Sequence, residues 1–324
     1  MEHPNEYIDA RLARLNVVND LPTFANDEER KTFIVKTILS KKYRKYAVDG
    51  DFLPHLEGAL EYSFKNGKPL QFVYPFGGYK LWRLDESPEA DWAELFTMMH
   101  NAAWLKSIAH VYEPGVWFDF SPDDVIVERM NHIPKADTDA YRATFNEVIA
   151  FITPYLPENL KFTLTPVGSR YTPEEFDADL TARTDELLAQ NHGKLPQASD
   201  AEKAMMDLNA KRTPEELADP EWYGKNKLMH DAYMATSKRR PYNRAPEKIL
   251  TFTKALPKGV AIGSTKTSIA KFWAGVGALK KRDDSYIETI LSPEQIKAAS
   301  ATWEPISIGL KGKNFSKIRI IESS

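Results

Sequence analysis

The sequence predicts an α/β fold: a Rossmann-like sheet, mixed or mostly parallel, flanked by helices and carrying a polar helical insertion. Three observations lead there. Short apolar runs bounded by Pro and Gly alternate with segments whose apolar residues recur at helical spacing, the pattern of βα units. From 172 to 245 the composition turns polar and helix-forming. The segment "ILTFTKALPKGVAIGS" then returns to strand-like residues. The expected organisation is an N-terminal α/β core half over 1–171, a polar helical insertion or lid over 172–245, and a C-terminal part over 246–324 that rejoins the core.

Residues 1–64 read as mostly helical. "DEERKTFIVKTILSKKY" puts Phe33, Ile34, Ile38 and Leu39 on one face, and "FLPHLEGALEYSFKNG" forms a second helix stopped at Asn66-Gly67. "KPLQFVYPF" is a buried strand running into a Gly-Gly loop. Ser87-Pro88-Glu89 carries the chemistry of a helix start, with serine as N-cap and Pro in the first turn. The stripe Trp92, Leu95, Phe96, Met99 and Ala103 then faces inward to about His110. A turn at Pro114-Gly115 precedes a strand with Val116 and Phe118, ending in the polar run Asp119 to Asp124. "DTDAYRATFNEVIAFITPYL" is helical and "NLKFTLTPVGSRY" a further strand. "TPEE" occurs at 172–175 and again at 213–216, each copy fitting a capping box. "NHGKLPQASD" is an exposed loop, a helix is expected over 268–279, "SPEQ" caps another, and "FSKIRII" is a closing strand.

Composition narrows the function classes. A net charge of -3 gives no overall basic field for nucleic acid or anionic lipid. No apolar run is long enough to cross a bilayer, and the charged start "MEHPNEYIDARLARLN" lacks the apolar stretch of a signal peptide. There is no cysteine, hence no disulfide, thiolate nucleophile or sulfur-ligated metal. The seven histidines form no H-E-x-x-H pattern, so a metal is not expected. These features point to a cytoplasmic protein whose partners include no nucleic acid and no membrane; nothing sets an oligomeric state.

Two strand-to-helix junctions are candidate anion sites. In "AIGSTKTSIAKFWAG", Ser264, Thr265, Thr267 and Ser268 offer hydroxyl donors and Lys266 a charge at a helix start, where free backbone N–H groups favour anions. The plain alternative is a capped connection with a surface lysine; the pattern is no Walker A loop. In "YPFGGYKLWRLDESPEADW", Gly77 and Gly78 permit close backbone approach, and Lys80 and Arg83 can pair with phosphate or carboxylate, or simply neutralise Asp85, Glu86 and Glu89. The third candidate is acidic. Asp119, Asp123, Asp124 and Glu128 could supply a general base, although Ser121-Pro122-Asp123-Asp124 is also helix-start chemistry. Glu128 and His132 stand four apart, which suits a pair on one helix face. The basic run Lys238, Arg239, Arg240, Arg244 and Lys248 reads as a solvated face, with RNA contact as its minor alternative.

Taken together, "GKPLQFVYPF", the following lysine, "RLDESPEADWAELFTM" and "VYEPGVWFDFSPDDVIV" resemble the isonitrile (isocyanide) synthases of the pyoverdine/dityrosine biosynthesis family. That family has a strand of the type G-x-P-[IL]-x-[FL]-V-x-P, a basic loop, an "L-P-D-x-A-E" helix start, then "Y-x-P-G-A" and "S-D-G-R-V-F". Gly67, Pro69, Val73, Pro75, Lys80, Leu84, Glu89, Tyr112, Pro114, Gly115, Ser121 and Asp124 fall in comparable order, over about residues 60–150. The family loop "F-P-F-K-S-x-N" is replaced by "YPFGGYKLW", and "S-D-G-R-V" by "SPDDVIV", which lacks the arginine. The resemblance implies a Rossmann-like fold and condensation of an amino-acid amine with the ketone of ribulose 5-phosphate, without metal or redox cofactor. It also implies substrate binding at Gly78, Lys80, Arg83 and 264–268, and proton transfer by Asp123, Asp124 or Glu128. A non-catalytic binder of phosphate or carboxylate ligands is the other expectation.

Overall fold

Strands β1 (Leu70–Phe76), β2 (Val116–Pro122), β3 (Leu160–Leu164) and β4 (Val260–Ala261) form a parallel sheet in the order β3-β2-β1-β4. The structure is a computed structural model that describes residues 3–43, 52–76, 88–170, 172–237, 259–262 and 275–322. The chain crosses from β1 to β2 to β3, then returns to add β4 on the far side of β1. In parallel sheets such a reversal is where ligands bind, beyond the carboxyl ends of the strands.

Helix α1 (Pro4–Ala13), α2 (Asp27–Ile38) and α3 (Phe52–Asn66) precede β1. Helix α4 (Trp92–Val111) joins β1 to β2, and α5 (Asp124–Asn131) with α6 (Lys135–Ile152) joins β2 to β3. The start of α4 differs from the expectation at Ser87-Pro88-Glu89. Asp91 is the N-cap: its carboxylate accepts the Ala93 amide at 2.7 Å while Glu94 reaches back to the Asp91 amide at 2.7 Å. A reciprocal box satisfies two otherwise unpaired N–H groups, more than serine followed by proline achieves. Nor does α4 bury a single stripe. Trp92, Leu95, Met98, Ala102 and Leu105 are all buried, because the parallel sheet lies on one side and a second sheet on the other.

That second sheet contains β5 (Val276–Arg282), β6 (Ser285–Leu291), β7 (Ala301–Pro305) and β8 (Lys317–Ile321) in the order β6-β5-β8-β7. Only β5 and β8 pair in parallel. The helix expected over 268–279 is overturned at its end: residues 276–279 belong to β5 and pair with β6 through a tight hairpin. Gly277 explains the choice, since a Cβ there would lie 2.4 Å from the Cβ of Trp92. Such a site favours glycine, a poor helix former but one that lets the strand approach α4.

The polar stretch folds as α7 (Pro173–Gln190), α8 (Asp200–Asn209), α9 (Pro214–Ala218) and α10 (Trp222–Ser237). Both "TPEE" boxes form, at Thr172 and Thr213, and "NHGKLPQASD" is the connection from α7 to α8. "SPEQ" caps α11 (Pro293–Ala298) in the same way. Helix α7 packs against α10. Among the described residues no helix is long and apolar enough to cross a membrane.

Candidate functional site

Because the four strands run parallel, Phe76, Pro122, Leu164 and Ile262 all lie toward one edge of the sheet. Strands β1 and β4 are neighbours, with Phe72 opposite Val260 and the Ile262 amide donating to the Val73 carbonyl at 2.8 Å. The two expected anion loops leave from these adjacent strand ends. Gly78, Lys80 and Arg83, and likewise Ser264, Thr265, Lys266, Thr267 and Ser268, lie outside the described residues, as does the basic run 238–248.

The acidic candidates sit at the same edge, where β2 gives way to α5. The Asp123 amide donates to Phe76 of β1 at 2.9 Å, which ties the junction to the switch-point strand. Its side chain makes no capping bond; instead Asp123 accepts the Tyr233 hydroxyl at 2.6 Å, with both groups buried. Asp124 points elsewhere. One carboxylate oxygen accepts the Gly168 and Val125 amides, each at 3.0 Å, and the other accepts Arg142 at 3.1 Å. Burial pushes the Asp124 carboxyl above the ordinary carboxylate range, with the two amides and Arg142 pulling the other way. Gly168 fits this arrangement by its lack of a side chain, since a Cβ would lie 2.8 Å from Val125 and 3.3 Å from Asp124.

Glu128 accepts the Thr138 hydroxyl at 2.5 Å. The expected pairing of Glu128 with His132 does not form. His132 closes α5 in the left-handed conformation, φ 54°, which turns it off the helix face and toward Glu216 of α9 at 2.8 Å. Partial burial works against the Glu216 charge, but the Thr213 amide and the His132 ring outweigh it and hold that carboxyl below the ordinary range.

Asp124 and Glu128 together line a cavity of about 340 Å³, a size suited to a small molecule, with Arg129, Lys135, Arg142 and Phe176 around it. Its charges are largely matched within the protein: Arg142 also meets Asp139, Lys135 holds Asp139 at 2.7 Å, and Arg129 meets Asp177. Among the described residues no three acidic or histidine side chains gather in a way that could hold a metal ion.

One face of the parallel sheet also carries polar groups. Asp119, fully buried in the middle of β2, accepts the Thr163 hydroxyl at 2.5 Å and the Thr165 hydroxyl at 2.6 Å on the same oxygen. Trp117 donates to Thr163 at 2.8 Å, extending the chain of bonds. Two positions on, Ser121 is also fully buried, and its hydroxyl has no hydrogen-bond partner. The sequence marks Asp119 among the acids and Ser121 as helix-start chemistry and a position matching the resembled family, but it points to no role for Thr163, Thr165, Arg142 or Tyr233. A signal was present in "WFDFSP": strand alternation sends Asp119 and Ser121 to one face and Phe118 and Phe120 to the other. Nothing local announces Tyr233, 110 residues from its partner.

Comparison with known proteins bears on the fold. No family model and no curated protein matches the chain. Among solved structures, the crystal structure of the PvcA protein from Pseudomonas aeruginosa is similar, with 13% identity and a TM-score of 0.53, over 90% of this chain and 99% of that one. The α/β architecture is thus shared along nearly the whole length of both proteins, at an identity that speaks for the fold alone.

Proposed function

We propose that this protein is a small-molecule biosynthetic enzyme related to isonitrile synthases, condensing an amino-acid amine with a sugar phosphate such as ribulose 5-phosphate. The observation that carries the reading is the strand order β3-β2-β1-β4. It makes neighbours of the strand ends that lead to Lys80 and Arg83 and to Ser264 through Ser268, with the Asp123–Asp124 junction one strand away. The likeness in fold to the solved PvcA protein supports the distant resemblance carried by the motifs between residues 60 and 150.

In this reading the lysines, Arg83 and the hydroxyls hold the phosphate, with Gly78 letting the backbone approach it. In the first covalent step the amine nitrogen bonds to the ketone carbon and water leaves. The amine gives up two protons and the ketone oxygen takes up two as it departs as water, so an acid–base group within one water of the ketone is required. Asp124 suits the acid role best, because its raised pKa brings proton uptake nearer to neutrality; Asp123 and Glu128 are the further candidates.

A second reading, a non-catalytic binder of phosphate or carboxylate ligands, is favoured by the engagement of all three acids with protein partners. Mass spectrometry of the purified protein with ribulose 5-phosphate and a mixture of amino acids separates the two. Turnover to a condensed product supports the enzyme. Thermal stabilisation by ribulose 5-phosphate without product, lost in Lys80→Ala or Lys266→Ala, supports the binder, and no response to any sugar phosphate or amino acid defeats both.

A further inference from the structure

Helix α8 of the polar segment is turned inside out. Ala201, Ala204, Met205 and Leu208 recur at the i, i+3, i+4, i+7 spacing of an apolar stripe. With 3.6 residues per turn they cover an arc of about 100° that no polar residue interrupts. Such a stripe ordinarily faces a core. Here all four side chains are exposed, Met205 at 52% and Leu208 at 51%, and no residue of α8 is buried.

The helix is held through its polar side instead. Glu202 accepts the Lys227 ammonium of α10 at 2.7 Å, and Asp207 accepts the Tyr223 hydroxyl of α10 at 2.9 Å. The Ser199 capping box fixes where α8 begins, so the stripe stands on a defined helix. Folding gains nothing from apolar groups left in water. Single apolar residues on a surface are ordinary, whereas a contiguous group of them marks a place where something docks.

Charge decides what docks there. Residues 172–237 carry fourteen Asp and Glu against seven Lys and Arg, a net charge of -7 in a chain whose total is -3. Asp200 and Asp207 flank the stripe on one side and Asn209 and Glu202 on the other, with Lys203 on the opposite face. A second copy would bring these acids against their own kind, and an anionic lipid surface would be repelled as well. A segment bearing Lys and Arg beside apolar residues complements both features. The small side chains of Ala201 and Ala204 leave room for larger ones, and Met205 adapts its shape to them.

We propose that α8 is a docking surface for a basic amphipathic helix of a partner protein. The partner's apolar side chains lie on Ala201, Ala204, Met205 and Leu208, and its cations face Asp200, Glu202 and Asp207. The surface is independent of the proposed catalysis.

The test titrates the full chain with a synthetic amphipathic helix of leucine and lysine, and with its counterpart bearing glutamate at every lysine. The wild-type protein should bind the first, more weakly as salt is raised, and not the second. Met205→Gln combined with Leu208→Gln should weaken the lysine peptide about tenfold or more. The melting temperature should not move, since both side chains already stand largely in water. Ala204→Glu, which adds bulk and a further negative charge in mid-stripe, should also weaken the peptide, an outcome that charge attraction alone cannot give. No binding of the lysine peptide overturns the proposal. So does equal binding of the two peptides, or an affinity that neither variant changes, which would place the contact elsewhere. A melting temperature lowered in both variants would show that the stripe packs within the chain. Sedimentation of the wild type as a dimer that both variants dissociate would make a second copy the occupant; either finding also overturns it.

Discussion

On one face of the parallel sheet Phe72, Tyr74, Phe76, Phe118, Phe120 and Phe162 interlock with one another and with Trp104 of α4 and Phe145 of α6. On the other, Asp119 and Ser121 are just as thoroughly buried, yet polar. Both faces belong to the same strands. Hydrophobic burial explains the first, because rings of this size remove much apolar surface from water and add favourable edge-to-face geometry. It cannot explain the second, where desolvating a carboxylate and a hydroxyl opposes folding. The contrast separates a face whose burial by itself favours folding from one where hydrogen bonds, such as those from Thr163 and Thr165 to Asp119, offset the desolvation of polar groups.

The comparison can be broken most severely at Phe118. Phe118→Ala removes a fully buried ring from the centre of the aromatic face and should cost about 3–5 kcal/mol in a urea unfolding experiment. A loss near 1 kcal/mol would mean the aromatic face is not the stabilising one. On the polar face, Thr163→Val removes a donor to Asp119 and the acceptor of Trp117, and should cost about 1–3 kcal/mol by the same measurement. Thr172→Ala deletes the α7 cap and should cost about 1 kcal/mol, a control from outside both faces.

The remaining expectation concerns pH. Burial raises the Asp124 pKa in the folded protein, so the folded state holds that proton more tightly than the unfolded chain. Its contribution is therefore complete below the unfolded carboxylate pKa and declines as pH rises through the raised, folded value. Asp124→Asn should remove this decline. Comparing the pH slope of stability in the two proteins isolates it from the opposite trend of carboxylates such as Asp139 and Asp177, whose pKa values are lowered by bonds to Lys135 and Arg129. An unchanged slope would reassign Asp124 to a normally titrating group.

Much of the architecture was legible because it is written locally. The capping boxes at Thr172, Thr213 and Ser292 each lie within four residues, and they form as the pattern predicts. The helix start at Ser87 to Glu89 misled for the same reason: a capping box four residues beyond Ser87, Asp91 with Glu94, satisfies more donors. The helix expected through Val276 misled because the deciding contact, Gly277 against Trp92, spans 185 positions. The site was legible in its acids and illegible in their partners: Glu128 and His132 suited a helix face on paper, and a left-handed cap sent His132 to Glu216.

By itself the sequence determined the class of fold, the alternation of β1, α4, β2, α6 and β3, and the presence of acids after β2, since these follow from periodicity and turn chemistry over a few residues. Only the tertiary structure decided that β4 lies beside β1, that Tyr233 claims Asp123, and that Ser121 is buried without a partner. Those outcomes depend on which distant surfaces exclude water together, a quantity no short stretch of chain contains.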